Sequence, residues 1–233
     1  MMSIEAHRFS GFEISTDADA AVLQLKKDIV SGGLAPNEKL RVRALTLRYG
    51  IGASPMREAL ARLSGSGLVR LEGQKGFRVT AISHADLLDI TQTRQIVEGE
   101  ALTLAIEAGD DFWEAEILKS FHLLCLELSR RGQGSDAWID AFEARHHAFH
   151  RALIAACPLQ TLKSFCDDLY LRKERYRRVL FGHAFEKIDV QAEHERLMEL
   201  VVSRASKQAS ESLIAHIGLT ADLLFTLLPS PQR

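Results

Sequence analysis

In the first third of the chain, the apolar positions repeat at the three- and four-residue spacing of α-helices. The first helix is predicted to begin at Asp17 or Asp19 and to end at Ser31-Gly32-Gly33. Two shorter helices follow at about 43–49 and 54–64, and a glycine-containing turn separates them. Two helices joined in this way indicate a helix-turn-helix.

The last of these helices has a strong start signal in Ser54-Pro55, because serine caps free backbone N–H groups and proline suits the first helical position. Leu60 and Leu63 give the helix a buried stripe, which leaves the serine, Met56 and Arg57 pointing outward. An exposed edge of this kind is able to enter the groove of a nucleic acid.

Two short runs after these helices, 68–71 and 77–80, have the composition of β-strands, and the turn residues 72–76 lie between them. A hairpin that follows a helix-turn-helix forms a wing. The sequence therefore predicts a winged helix-turn-helix domain with a small two-stranded wing over residues 1–81. Its first residues, 1–15, show no periodicity and are expected to form a loose arm.

From Ser83 onward, glycine and proline are sparse and helical periodicity dominates. Ser83, with Asp86 three residues later, resembles a capping box for a long helix that runs to about Ala108 and is closed by Gly109. Six helices with short connections predict an all-α antiparallel bundle over residues 82–233. After the first, they are predicted at about 111–131, 136–156, 159–181, 187–204 and 207–228, with a break at Gly182.

The formal net charge of −2 conceals an asymmetry between these two parts. Residues 1–81 carry 12 Lys and Arg against 8 Asp and Glu, whereas residues 82–233 carry 17 against 23. The basic excess lies between Lys39 and Arg78, where nine basic residues accompany two acidic ones. A polyanion is therefore expected to bind the N-terminal part.

The spacing of the cysteines and the hydropathy of the chain indicate where in the cell the protein is found. Cys125, Cys157 and Cys166 are widely spaced and form no CxxC pair, so they predict neither a disulfide framework nor a thiolate zinc site. No stretch approaches the roughly 18 apolar residues that indicate a membrane span, and the first residues lack the pattern of a secretory signal. We therefore expect a cytoplasmic protein with no membrane partner.

The segment from Leu25 to Val79 resembles the DNA-binding domain of GntR-type bacterial transcription regulators along its full length. The second part is similar to the FadR branch of that family, with its all-helical FCD ligand-sensing domain, and its six helices resemble the shorter, VanR-like subgroup. The resemblance covers roughly residues 18–228. The motifs that carry it in the second part are Arg94-Gln95-Ile96-Val97-Glu98, Phe149-His150-Arg151-Ala152-Leu153, and the spacing of His194 and His216.

The resemblance implies that Arg43, Ala53, Ser54 and Arg57, together with Lys75 at the wing tip, contact DNA. Ala53 stands where members of the family usually carry Arg, so the operator is expected to differ from the usual family pattern. Arg43 and Arg57 keep the guanidinium group that binds guanine or phosphate through two hydrogen bonds. Three further basic residues are candidates for phosphate contacts: Arg41, Arg48 and Arg78.

The resemblance also implies a divalent metal in the sensing domain, held by His146, His150, His194 and His216. His146 and His150 are four residues apart on one predicted helix, so they project from the same face. The family uses one Asp and three His, and His146 occupies the Asp position. An all-imidazole set favours zinc or nickel over manganese, which prefers carboxylate oxygen. Two alternatives stay open: His147 as the fourth ligand, and a metal-free pocket in which the imidazoles bind the effector.

In the family, an arginine that matches Arg94 binds a carboxylate beside the metal. An ion pair with Glu98, four residues later, is the structural alternative. A basic run further along is too dense for one helix face, so some of its members are expected in solvent, although one arginine could assist anion binding. The run consists of Arg172, Lys173, Arg175, Arg177 and Arg178.

Together these features predict a homodimeric, metabolite-responsive transcription repressor that senses a small carboxylate, rather than an enzyme. One recognition helix covers too few bases for specificity, so two copies would bind a palindromic operator of paired half-sites. Two other functions stay open. A metal-dependent hydrolase could use the histidines, with Glu193 or Glu195 as general base. A metal-free architectural protein would bind DNA and sense nothing.

Overall fold

A computed structural model describes three stretches of the chain: 16–130, 136–184 and 189–228. The predicted loose arm, 1–15, lies outside them. The chain divides into two compact units, and Ala81 is the last residue of the first. The second consists of the residues from Ile82 onward together with Val30–Gly32.

The residues of the first unit that the structure describes contain three α-helices and confirm the helix-turn-helix. These are α1 (Asp17–Ser31), α2 (Val42–Tyr49) and α3 (Ala53–Gly65). Gly50 ends α2 with a φ of 68°, and its N–H donates to the carbonyl of Thr46. This left-handed conformation, which glycine adopts without steric cost, turns the chain between the two helices.

The start of α3 differs from the prediction. Gly52 is the N-cap residue and forms no side-chain cap, so Ser54 lies inside the first turn and does not cap the helix. Pro55 is tolerated there because N–H groups of the first turn have no intrahelical partner. Met56 was expected at the surface but is fully buried, since it lies four residues before Leu60 on the same helix face.

A small antiparallel sheet follows the order β1-β3-β2, with β1 at Lys39–Leu40, β2 at Val69–Leu71 and β3 at Phe77–Val79. The sheet confirms the wing but has one strand more than predicted, because two residues are too few to show an alternating pattern. A short 3₁₀ turn, Gly73–Lys75, connects β2 to β3.

The second unit is an all-helical bundle, as predicted. Its helices in the described stretches are α4 (His84–Ala108), α5 (Asp111–Leu128), α6 (Asp136–Leu153), α7 (Gln160–Ala184), α8 (Val190–Val202) and α9 (Ser206–Leu227). The break expected at Gly182 is wrong, because α7 continues to Ala184. Helix α4 packs mainly against α9 and α7, and α5 packs against α6 and α8.

Local signals set both ends of α4. Ser83 caps its start by accepting a hydrogen bond from the N–H of Asp86 at 3.1 Å. Gly109 follows its last residue with an extended φ of −69°, so left-handed geometry is not the reason for a glycine there. A Cβ at this position would lie 2.0 Å from the Trp113 ring. Glycine is therefore needed at this position because any side chain would collide with the Trp113 ring.

The core of the second unit lies between its helices. It is built from aliphatic and aromatic side chains that include Leu102, Ile117, Phe142, Phe149, Leu197 and Leu213. Two buried indoles find backbone acceptors: Trp113 donates to Ala152 at 2.8 Å, and Trp138 donates to Glu127 at 2.9 Å. Among the described residues, no helix is long and apolar enough to cross a membrane.

Candidate DNA-binding surface and metal site

The five residues expected to contact DNA are all exposed and lie in the first unit. Arg43 is on α2; Ala53, Ser54 and Arg57 are on the first two turns of α3; Lys75 is in the turn between β2 and β3. Since the serine does not cap the helix, its hydroxyl is available to a ligand. The buried residues Met56, Ala59, Leu60 and Leu63 hold α3 in place from its other side.

Other basic residues of this unit are already engaged within it. The guanidinium of Arg48 bonds to Asp28 at 2.5 Å, and that of Arg78 bonds to Glu72 at 3.0 Å. Arg43 and Arg57 form no ion pair with the described residues. These two arginines therefore fit a DNA contact better than Arg48 or Arg78 does.

In the second unit, three helices bring four histidines together. His146 and His150 lie on α6, His194 on α8 and His216 on α9, and all four are buried. One ring nitrogen from each lies within 4.8 Å of the other three. The Nε2 atom of His194 is 2.9 Å from Nε2 of His146 and 3.3 Å from Nε2 of His150.

These distances fit a single metal ion. Two nitrogens that bind one tetrahedral zinc ion at about 2.0–2.1 Å lie roughly 3.3 Å apart. Nε2 of His194 is already near that spacing from Nε2 of His146 and from Nε2 of His150. A small inward movement of the remaining ligand atoms would complete the set.

The environment keeps the histidines neutral, as metal binding requires. Burial lowers the pKa of His194 to about 4 from its ordinary value near 6.5. Burial is also the main cause that lowers the pKa of the other three, and nearby cationic groups add to it. A cluster of neutral imidazoles offers lone pairs to a cation.

Contacts at the far ring nitrogens orient two of the four histidines. Nδ1 of His194 donates to the carbonyl of Val190 at 2.6 Å, which leaves the Nε2 lone pair directed at the cluster. Nδ1 of His146 is hydrogen-bonded to the hydroxyl of Tyr170. His147 lies elsewhere: its ring stacks on Tyr170, and its Nε2 is 3.2 Å from Asp167. The geometry therefore favours His146 over His147 as a ligand.

Arg94 forms the ion pair with Glu98 that was the structural alternative. Nε and Nη2 of Arg94 bond to the two carboxylate oxygens at 2.5 and 3.0 Å, and both side chains are buried. Nη1 of Arg94 is also buried and has no hydrogen-bond partner. The guanidinium can therefore accept a further anion through this nitrogen.

The basic run on α7 is not in solvent, contrary to expectation. Lys173, Arg175 and Arg177 are buried, and Arg172 and Arg178 are partly buried. Carboxylates on other helices make this possible: both oxygens of Glu143 bind Arg177, and Asp86 binds Arg172 at 2.8 Å. Sequence reasoning missed Tyr170 and Glu143, and it named Lys173 only as a member of the basic run. The spacing of Tyr170, Lys173 and Arg177 along one helix face was an available signal.

A separate open groove of about 620 Å³ lies between α4 and α9. It contains no histidine and no basic side chain, and its one ionisable residue is Glu100. An anionic ligand would find no cationic side chain among the described residues that line it. The groove is lined by Gln92, Gln95, Ile96, Gly99, Glu100, Thr103, Ser210 and Ile214.

Comparison with protein families decides the class of the protein. The model of the bacterial regulatory proteins of the gntR family matches residues 17–79, and the model of the FCD domain matches residues 89–219. This chain belongs to the GntR family. The resemblance inferred from the sequence motifs is confirmed, as is the FCD domain of the FadR branch.

Individual relatives agree with the family match. The HTH-type transcriptional repressor GlaR of Escherichia coli is 37% identical over 198 residues, which cover 83% of this chain and 89% of GlaR. The transcriptional regulator BphR of Paraburkholderia xenovorans is 35% identical over 85% of this chain and 81% of its own. The structure of E. coli McbR/YncC covers 91% of this chain and 98% of its own, with a TM-score of 0.76 at 19% identity, and shares the fold.

These comparisons establish a transcription regulator with a DNA-binding helix-turn-helix and an FCD domain. Its relatives are regulators, so the hydrolase interpretation is set aside.

Proposed function

We propose that this member of the GntR family is a homodimeric, cytoplasmic repressor that releases or binds its operator in response to a small carboxylate. The carboxylate binds at a divalent metal, zinc or nickel, held by His146, His150, His194 and His216. The convergence of these four buried histidines on one point is the observation that carries the proposal. Residues 1–81 form the DNA-binding domain and residues 82–233 the sensing and dimerisation domain.

The DNA-binding role of particular residues rests on exposure and charge. Arg43 and Arg57 are exposed on the two helices of the helix-turn-helix and have no ion-pair partner in the described part of the chain. A recognition helix places its N-terminal residues against base edges, and Ala53, Ser54 and Arg57 occupy that end of α3. Lys75 in the wing supplies a phosphate contact.

The metal would be a Lewis acid that binds the anionic group of the effector. Arg94 supports the same anion, because its buried Nη1 atom lacks a partner. Four neutral imidazoles leave the charge of the ion uncompensated, which strengthens its attraction for an anion. Effector binding changes operator affinity through the preferred arrangement of the dimer, and such couplings are typically about 1–3 kcal/mol.

Metal analysis of the purified full-length protein tests this function. We expect one zinc or nickel ion per chain, and a His150→Ala/His194→Ala variant that holds none and melts at a lower temperature. His122→Ala, at an exposed histidine of α5, is the control that should keep the metal. Stoichiometric metal in the double variant would exclude the site. Operator binding that no carboxylate alters would favour the architectural alternative.

A further inference from the structure

The open groove between α4 and α9 has an exposed isoleucine beside it. Ile96 on α4 is 73% exposed, although an apolar side chain of this size gains free energy when it is buried. The same residue belongs to the lining of the groove, whose volume is about 620 Å³. A protruding apolar side chain and a groove that can receive one therefore lie side by side on the same face of the bundle.

The close approach of the two helices forms the floor of the groove. A Cβ on Gly99 of α4 would lie 3.1 Å from Oγ of Ser210 and 3.2 Å from Cδ1 of Ile214, both on α9. Three polar side chains of the lining already donate to backbone carbonyls of these helices: Gln95 to Ile214 at 3.0 Å, and Thr103 and Ser210 to Gly99 at 3.1 and 3.3 Å. A small polar ligand would therefore find few free donors there, whereas an apolar side chain needs none.

Along this groove, α4 presents a row of three exposed residues at a spacing of four: Gln92, Ile96 and Glu100. Residues four apart share a helix face, so the row is about 12 Å long and has Ile96 at its centre. One end of the row is an amide, which donates hydrogen bonds, and the other end is a carboxylate, which only accepts them. The row is therefore complementary to a second copy of itself that runs in the opposite direction.

A two-fold axis at Ile96 would produce that arrangement. The two faces of such a dimer are the same surface, so each contact between two different residues occurs twice. Antiparallel α4 helices would place Gln92 of each copy against Glu100 of the other, whereas parallel helices would bring the two Glu100 carboxylates together, where they repel. At the start of α9, Lys207 and Glu211 form their own ion pair at 4.0 Å within one copy, so they add no net charge to this region.

We propose that two copies of the chain associate through this face, with Ile96 of each copy in the groove of the other and Gln92 of each copy donating to Glu100 of the other. This inference rests on the proposed function, because it assigns the surface through which the proposed homodimer forms. Burial of the two isoleucines supplies the apolar contribution to dimerisation. The two amide–carboxylate hydrogen bonds fix the antiparallel direction.

Analytical ultracentrifugation of the full-length protein tests the inference through the oligomeric state. We expect a dimer for the unmodified protein. Ile96→Glu places two carboxylates together at the axis and should weaken dimerisation by at least about 100-fold, because like charges brought together across an interface repel strongly. Phe112→Glu, at an apolar residue of α5 that is 86% exposed, is the matched control and should leave the dimer unchanged. Helix content measured by circular dichroism verifies the fold of both variants.

The sign of the charge at position 92 tests the direction of the two α4 helices. Gln92→Lys should tighten the dimer by roughly tenfold, because a lysine opposite Glu100 forms an ion pair twice, whereas Gln92→Glu should weaken it by a similar factor. Gln92→Glu combined with Glu100→Lys restores opposite charges and should recover most of the lost affinity. Since Gln92 is exposed, these variants decide the question even where Ile96→Glu does not fold.

The outcomes separate this inference from the function on which it rests. A dimer that survives in Ile96→Glu, or that responds equally to both charges at position 92, would place the interface on another surface and leave the homodimeric repressor intact. An unmodified protein that stays monomeric up to the highest concentration tested, with and without operator DNA, would remove both the homodimer and this interface.

Discussion

The hydroxyl of Tyr170 is hydrogen-bonded to Nδ1 of His146. The same oxygen accepts a hydrogen bond from Nη2 of Arg177 at 3.1 Å, and Glu143 holds that guanidinium through two hydrogen bonds. A metal bound at Nε2 of His146 would leave the ring proton on Nδ1, which would then donate to the Tyr170 oxygen. The residue that replaces the family's usual aspartate is therefore oriented by a polar chain of buried side chains.

Replacing Tyr170 by Phe tests this orientation. We expect Tyr170→Phe to weaken zinc binding by roughly 10- to 100-fold, because the ring of His146 loses the contact that orients it. Competition with a chromophoric chelator measures the affinity. Tyr49→Phe removes a hydroxyl that bonds to Asp28 in the other unit, and it should leave the zinc affinity unchanged. Equal zinc affinities for the Tyr170 variant and the unmodified protein would show that the contact has no role.

His146→Asp should move the metal preference toward manganese while a metal is still bound. A carboxylate is a harder donor than imidazole, and it neutralises part of the charge of the ion. The added negative charge should also weaken a carboxylate effector at the same site. Competition between zinc and manganese, measured beside carboxylate titration, checks both effects. Unchanged preference and affinity would place His146 outside the coordination sphere and direct attention to His147.

The metal-free protein should lose stability in mild acid. Burial lowers the pKa of His194 to about 4, whereas an unfolded chain titrates it near 6.5. The unfolded state therefore binds more protons between these values, and the free energy of unfolding falls as pH drops from about 6.5 toward 4. Urea denaturation of chelator-treated protein at pH 7.5 and 5 measures this. His194→Gln should reduce the pH dependence of the free energy of unfolding, whereas His122→Gln should not. A free energy of unfolding that does not change with pH would contradict the prediction.

Features encoded within a few residues were the ones that could be predicted. The Ser83 cap is local, and its partner Asp86 lies three residues away, so the start of α4 follows from the sequence. The start of α3 was less well determined, because both Gly52 and Ser54 are good N-cap residues. The structure uses the glycine, which places the N-cap two residues before the predicted serine.

The histidine set was predicted, but its surroundings were not. Family position and helical spacing pointed to His146 and His150, whereas Glu143 and Tyr170 matter through contacts between α6 and α7. A basic run on a helix is usually solvated, and the burial of Lys173 and Arg177 depends on side chains far away in sequence. No local pattern encodes such pairings.

Arg57 is expected to read a base edge. Arg57→Ala should cost roughly 1–3 kcal/mol in operator binding and relax the preference at one position of each half-site. Lys75→Ala should instead weaken binding to all sequences alike, because a phosphate contact carries no sequence information. Titrations on the operator and on single-base variants distinguish the two. Equal losses on every sequence for Arg57→Ala would remove its base-reading role.

Tyr176 connects α7 to Ser83, which lies two residues after Ala81, the last residue of the first unit. Its hydroxyl accepts from the N–H of Ser83 at 3.0 Å and donates toward Asp86 at 2.6 Å. Arg172, also on α7, binds the same aspartate. The helix that carries Tyr170 and Lys173 thus also holds the start of α4. A shift of α7 on effector binding would therefore also move Ser83.

Tyr176→Phe should accordingly weaken the coupling between sensing and DNA binding more than it weakens ligand binding or operator binding alone. We expect the variant to bind zinc and carboxylate about as tightly as the unmodified protein does. Without ligand, its affinity for the operator should be within a few-fold of that of the unmodified protein. The ratio of operator affinities with and without zinc plus the tightest-binding small carboxylate, typically about 5- to 150-fold for such couplings, should contract toward one. Loss of one hydroxyl should lower the free energy of unfolding by about 1–2 kcal/mol. Fluorescence anisotropy with labelled operator measures the ratio, and a ratio equal to that of the unmodified protein would show that the signal does not pass through Tyr176.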